Sequence, residues 1–216
     1  MVYILNIHTA TENAIINLTA GEKILGTLYN YETKQHASFL HIAIKELLDR
    51  HEISIKDLDA IGISLGPGSY TGIRVGLATA KGLCYALKIP LITYTSLELI
   101  ALSASNSIKD NHAFYCPMID ARRMEVYTAI YDCHLREIMH PSALVINENS
   151  FVEILKQHRM YFSGNGSIKF RELINNANAI FLNEELSSNS LAKIAWEKFL
   201  EKKFENVNYA QPLYLK

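Results

Sequence analysis

The chain has 216 residues, of which 49% are hydrophobic and 20% charged. That is enough apolar material to bury a core in one large domain or two small ones. Twenty-one basic residues oppose 22 acidic ones, for a formal net charge of -1, and the longest basic cluster, Lys202-Lys203, lies between Glu201 and Glu205. This excludes the basic stripe with which a protein grips nucleic acid unaided. Cys84, Cys116 and Cys133 are odd in number and lack metal-ligand spacing. The opening apolar run has no basic flank and is too short for a signal peptide. No stretch approaches a membrane span. The expectation is a reduced, cytoplasmic protein with no membrane segment.

Three strands are expected first: Tyr3 to Thr9, Ala14 to Leu18 and Lys23 to Tyr29, joined by turns at Thr11-Glu12-Asn13 and Ala20-Gly21-Glu22. Such short connections imply an antiparallel meander. A helix follows from about Thr33 to Arg50, with Ala37, Leu40, Ile44, Leu47 and Leu48 on one apolar face. Ala60 to Leu65 reads as a buried parallel strand and runs into Gly66-Pro67-Gly68. A second helix spans about Thr71 to Leu87. Leu91 to Tyr94 reads as a strand, and Ser96 caps a third helix through Ala104. The order β-β-β-α-β-α-β-α is that of the ribonuclease-H-like fold.

The second half reads as a worn copy of the first. Tyr115 to Asp120, Glu125 to Tyr131 and Ile138 to Ile146 are strands, and Asn149 to Gln157 is a helix. Met160 to Ser163 meets Gly164-Asn165-Gly166-Ser167 as the earlier strand meets its glycine turn. Ala179 to Leu182 is a further strand, and a final helix starts at Ser190. A two-lobed α/β architecture follows, with the first lobe at 1–101 and a degenerate second lobe at 102–189. The C-terminal helix, about 190–209, can pack on the first lobe.

The glycine-rich turn Gly66 to Gly76 sits between a strand and a helix. Glycines there allow close backbone approach, and a helix N-terminus offers free N–H groups to an anion. The dinucleotide pattern fails because Thr71 stands where its third glycine belongs, and the P-loop fails for want of Gly-Lys-Ser/Thr. Two readings stay open: an anion or nucleotide cleft at Gly66, Gly68, Ser69 and Thr71, or a tight turn capped by Ser69 or Thr71. The helix beyond shows two apolar sectors at about 100° per residue. Ile73, Leu77, Ala80, Cys84 and Leu87 suit the parent sheet. Gly72, Val75, Gly76, Thr79, Leu83 and Ala86 form a second, small-residue face. A surface helix needs only one apolar stripe. With Phe39 and Ile42 standing off the main face of the preceding helix, the second sector suggests a surface for a partner. The plainer reading is that the second lobe or the last helix covers it.

Other chemistry is thinly represented. His36 and His41 diverge by roughly 140° on a helix, so they are not a zinc pair, and no metal site is expected. No Gly-x-Ser-x-Gly elbow is present. Asp120-Ala121-Arg122-Arg123 follows a strand and reads either as an anion clamp, with Asp120 orienting the Arg122 and Arg123 guanidiniums, or as a salt bridge between lobes.

Three segments carry a resemblance to a family. Gly66-Pro67-Gly68-Ser69-Tyr70-Thr71-Gly72-Ile73-Arg74-Val75-Gly76 is similar to the signature segment of the TsaB (YeaZ-like) family. Asp120 to Tyr127 resembles its second characteristic segment, and Pro212 to Lys216 resembles its usual Pro-x-Tyr-Leu-Arg tail. The resemblance implies two ribonuclease-H-like lobes of the sugar-kinase, Hsp70 and actin superfamily. It implies a non-catalytic subunit in formation of N6-threonylcarbamoyladenosine at tRNA position 37, pairing through its first two helices with a TsaD-like catalytic subunit. It further implies a TsaE-like small ATPase as partner and a link to tRNA only indirectly, through the complex; whether the chain alone forms a homodimer stays open. No cofactor is expected on the chain itself, with nucleotide only at an assembled complex. The family's first strand ends in Asp-Thr-Ser. This chain has His8-Thr9-Ala10 there, and histidine is a poor substitute for a carboxylate toward magnesium. That departure weighs against the alternative, a nucleotide-binding ATPase or small-molecule kinase.

Overall fold

The computed structural model describes residues 1–32, 36–108, 110–183 and 186–216, with the backbone alone at 36 and 37. Two compact units divide the chain: Met1–Ser96 with Ser188–Leu213, and Leu97–Ser187 with Tyr214–Lys216. The first segment holds β1 (Tyr3–His8), β2 (Ala14–Ala20), β3 (Lys23–Asn30), α1 (His36–Arg50), β4 (Ala60–Ser64), α2 (Tyr70–Leu87) and β5 (Leu91–Tyr94). Then come α3 (Ser96–Ser107), β6 (Phe114–Asp120), β7 (Glu125–Tyr131), β8 (Glu137–Val145), α4 (Val152–Leu155), β9 (Met160–Ser163), α5 (Ser167–Arg171) and β10 (Ala179–Phe181). Helix α6 (Ser188–Leu200) returns to the first unit.

The first sheet runs β3-β2-β1-β4-β5. Strands β1 to β3 pair antiparallel, and β1–β4 and β4–β5 pair parallel. Side chains alternate across a strand, so Leu5 and Ile7 point to one face and Ile4, Asn6 and His8 to the other. Leu5 and Ile7 join Ile16, Leu18, Ile61 and Ile63 in a core closed by α1 and α2 through Leu40, Ile44, Leu47, Leu77 and Ala80. Helix α6 covers the opposite face with Leu191, Ala192, Ile194 and Ala195. There Gly62 is buried, and a β-carbon on it would overlap Asn6 Oδ1 and come within 3.3 Å of Ala195.

The second sheet repeats the plan as β10-β9-β6-β7-β8, with β6 to β8 antiparallel and β6–β9 and β9–β10 parallel. One face packs on α3 through Leu97, Ile100, Ala101 and Ala104 against Tyr115, Tyr131 and Tyr161. The other buries Phe162 and Phe170 among Cys116, Met118, Val126 and Ile130. The two sheets therefore carry the ribonuclease-H-like order twice, as the element order predicts. Because α3 spends its apolar face on the second sheet, the units divide after Ser96, earlier than the expected 101.

Two elements differ from expectation, α4 and α6, and the expected start of α1 is not described. The start of α1 at Thr33 lies outside the described residues, as does the side chain of Ala37. The helix expected at 149–157 shrinks to α4, because Asn147 and Ser150 close a turn and Phe151 adopts a left-handed φ of 63°. The last helix stops at Leu200 instead of near 209. Lys202 takes a left-handed φ of 54°, and Lys203 N–H reaches back to the Lys198 carbonyl at 2.9 Å, a Schellman stop.

Glycines on α2 occupy opposite environments. A β-carbon on Gly76 would overlap Thr9 Oγ1 and press Ile63 at 3.1 Å, whereas one on Gly82 meets nothing within 4 Å. Gly82→Ala should therefore raise stability by about 0.5–1 kcal/mol through helix propensity. Gly76→Ala should lower it by about 1–3 kcal/mol through overpacking, despite the same propensity gain. Denaturant unfolding of the two variants checks this difference in sign.

Candidate docking face and the glycine-rich turn

The end of β1 decides how α2 sits. Ser69 N–H donates to the Ala10 carbonyl at 2.6 Å, and Thr9 Oγ1 donates to the Gly72 carbonyl at 2.7 Å. Ser69 caps the helix, its Oγ accepting from Gly72 N–H at 3.2 Å. A β-carbon on Gly68 would overlap the Ala10 carbonyl oxygen, and one on Gly72 would overlap that of Thr9. These glycines are required because the chain's own strand end occupies the space. Gly66, at φ 97°, fits beneath Ile73 and accepts from Ser96 N–H at 2.7 Å. Of the residues read as an anion cleft, Gly66, Gly68 and Ser69 are thus engaged within their own unit, while Thr71 is exposed. His8 is fully buried, with Nε2 2.9 Å from Thr11 Oγ1.

Asp120 and Arg123 belong to the second unit. Asp120 N–H donates to Asn165 Oδ1 at 2.9 Å. Its carboxylate accepts from Arg122 N–H and from Lys169 Nζ, each at 2.6 Å. Partial burial pushes this carboxyl up, but the Lys169 bond and charge and the Arg122 N–H outweigh it and hold it below the usual carboxylate range. Asp120 is thus a brace for the β6–β7 turn. Burial pushes the Cys84 and Cys116 thiols up to about 12, so neither is a thiolate nucleophile at neutral pH. Among the described residues no group of three or more His, Cys, Asp or Glu is placed to hold a metal ion, and no helix is long and apolar enough to cross a membrane.

The outer surface of α1 and α2 is open. A groove of about 730 Å³ runs between them, floored by Ile44, Leu48, Ile53, Thr79 and Leu83 and rimmed by Ala78 and Gly82. Ile42 and Tyr85 stand beside it, 66% and 78% exposed. Arg74 lies over the Tyr70 ring at 3.8 Å. Lys81 turns the other way, donating from Nζ to the Ala210 and Asn208 carbonyls at 3.0 and 3.3 Å. That latch ties the chain's last segment to one flank of α2 and leaves the α1 flank uncovered within this unit.

The residues expected at a partner surface separate here. Ile42, Thr79 and Leu83 reach the groove or its edge. Phe39 and Val75 are half-buried against the core. Gly72 and Gly76 are buried against Thr9, so the geometry corrects their place on an outer face. The outward small residues are Ala78, Gly82 and Ala86. Their spacing of four was a readable signal, but a helical wheel cannot tell which small-residue sector meets the parent sheet.

A family model described as TsaD, tRNA N6-adenosine threonylcarbamoyltransferase, matches residues 23–215. The chain belongs to this family. Proteins similar to it include TsaB proteins. It is 34% identical over 128 residues to the tRNA threonylcarbamoyladenosine biosynthesis protein TsaB of Bacillus subtilis (strain 168), a match taking in 59% of the chain and 54% of that protein. The chain thus matches only about half the length of that curated relative. It is 26% identical over 220 residues to the TsaB of Escherichia coli (strain K12), covering 99% of the chain and 94% of that protein. A crystal structure of a Pseudomonas aeruginosa protein with similarity to peptidase YeaZ superposes with a TM-score of 0.87 at 23% identity, over the whole of both chains. An Arthrobacter polyphosphate/ATP-glucomannokinase superposes at 0.56 and 9% identity, covering 93% of this chain and 100% of that one. That likeness is one of fold.

The Asp120 brace has a pH signature. Its folded pKa is depressed, so its contribution is present above the unfolded carboxyl pKa of about 3.9 and is lost as pH falls through the lower folded value. Asp120→Asn should therefore lower stability at pH 7, by at most about 1 kcal/mol for so exposed a pair, and the melting temperature with it. The gap from the unaltered chain should close below about pH 4. Melting curves across pH 2.5 to 7 check both points.

Proposed function

We propose that this chain is the non-catalytic pairing subunit of an assembly that forms threonylcarbamoyladenosine on tRNA, docking through α1 and α2 onto a TsaD-like catalytic subunit. The observation that carries the reading is Gly82. Inside a long helix glycine costs about 1 kcal/mol relative to alanine, and its own fold gives no reason for it, since a β-carbon there meets nothing. Together with Ala78 it lets the backbone of a second helix come close. The groove beside it supplies apolar area through Leu48, Ile53 and Leu83. A helix pair laid along this groove would complete a four-helix bundle. The names of the relatives supply the pathway, and the family model supplies the kind of partner.

The proposed interface is Phe39, Ile42, Val75, Thr79 and Leu83, with Ala78 and Gly82 in place of Gly72 and Gly76. The same face would serve a homodimer when the catalytic subunit is absent. A TsaE-like ATPase would join the pair elsewhere, nucleotide would enter only at the assembled complex, and the site of action would be the cytoplasm. Two features weigh against intrinsic kinase or ATPase chemistry. The strand end that carries an acidic residue in nucleotide-binding members is His8-Thr9-Ala10. The glycine turn that would cradle phosphate has Ser69 and Gly72 N–H groups committed to Ala10 and Ser69.

The test is light scattering after size exclusion, with the chain mixed with the catalytic subunit of the same organism. Gly82→Arg should fold at least as stably as the unaltered chain, because the added side chain enters open space. It should lose two orders of magnitude or more in affinity for the partner, about 3 kcal/mol. Leu83→Asp should lose the complex as well. A Gly82→Arg chain that still forms the complex at unaltered affinity would place the partner elsewhere.

A further inference from the structure

The β6–β7 turn carries a backbone cost that its own packing does not explain. Arg122 and Arg123 are consecutive and both left-handed, at φ 69° and 47°. The turn closes through Glu125 N–H to the Arg122 carbonyl at 3.1 Å; left-handed positions take Gly and Asn most cheaply, and each larger side chain held there is strained. The surrounding structure fixes the turn from several sides. The Asp120 carboxylate accepts Arg122 N–H at 2.6 Å, Lys169 Nζ donates to the Arg123 carbonyl at 2.5 Å, and Asn165 holds Asp120 N–H at 2.9 Å.

The charge around the turn is unevenly matched. Each neighbouring carboxylate already has a lysine: Asp120 takes Lys169, and Glu125 takes Lys216. Among the described ion pairs none includes Arg122 or Arg123. Both residues are exposed, so the turn presents two adjacent guanidiniums as its uncompensated charge. Guanidinium forks match phosphate oxygens bidentately, and two neighbouring forks suit the successive phosphates of a polynucleotide. The chain as a whole is nearly neutral, which fits a local contact made on RNA that a partner holds rather than independent binding.

We infer that Arg122 and Arg123 form a phosphate clamp for the RNA backbone, contacting tRNA when this chain sits in its complex. The inference rests on the pairing function proposed above. A polynucleotide contact of this kind positions the substrate without reading its sequence, and it is weakened by salt as phosphate counterions compete.

The decisive variant is Arg122→Asn with Arg123→Gly, which removes both charges and installs residues that take a left-handed φ at less cost. The full chain carrying it is assembled with the catalytic subunit and titrated with an unmodified tRNA transcript bearing adenosine at position 37, across a series of salt concentrations. The clamp predicts a higher melting temperature for the variant chain and an unchanged heterocomplex. It also predicts about tenfold weaker tRNA binding, with a salt slope smaller by roughly 1.5 to 2, one phosphate per guanidinium. Unchanged tRNA affinity and slope in an intact complex would overturn the clamp and leave the pairing function standing. Loss of the heterocomplex by this variant alone would show the turn to be a protein contact, overturning the clamp. Loss of ATP binding with tRNA binding unchanged would assign the pair to a mononucleotide and overturn it too. If the unaltered chain forms no complex, both the clamp and the pairing function fall.

Discussion

The contact of α2 with the end of β1 governs the first unit. The Thr9 and Ala10 carbonyls lie where β-carbons of Gly72 and Gly68 would be, and Thr9 Oγ1 bonds the Gly72 carbonyl. Backbone can approach backbone this closely only where side chains are missing. That approach sets the rotation of α2 about its axis. With Gly72, Gly76 and Ala80 turned to the sheet, helical geometry turns Ala78 and Gly82 outward. The open groove follows from the buried contact, and so does the asymmetry between two glycines six residues apart on one helix.

The same contact bears on chemistry. A glycine-rich turn before a helix is an anion site when its N–H groups are free. Here two of them serve the fold: Ser69 N–H goes to Ala10, and Gly72 N–H goes to the cap. The double ribonuclease-H-like plan is present in full strand order, and the glycine-rich turn is bonded to the end of β1. The second unit keeps the sheet and shortens the helices, α4 and α5 spanning only Val152–Leu155 and Ser167–Arg171. What it adds is the braced β6–β7 turn, whose strain is borne by two arginines.

Much of this was legible from the sequence, for definable reasons. The strands Leu91–Tyr94, Glu125–Tyr131 and Met160–Ser163 have their expected bounds, since β-branched and aromatic runs with clear turn residues on either side leave little choice. The excess of apolar and small residues on α2 was visible because no single core needs that many. Its orientation was not, because that depends on Thr9, more than sixty residues away in the chain. The Lys81 latch to Asn208 and Ala210 was illegible for the same reason. The left-handed Arg122-Arg123 pair was also hidden, since arginine carries no turn preference and the brace comes from Lys169 and Asn165 on a distant segment.

The central claim is that α1 and α2 are turned outward to receive a partner. Amide hydrogen exchange of the full chain, alone and saturated with the catalytic subunit, tests it without altering a residue. The account predicts added protection concentrated in His36–Arg50 and Tyr70–Leu87, with the strands of the first sheet, already buried, nearly unchanged. Protection confined to other segments, with both helices exchanging as they do alone, would contradict it.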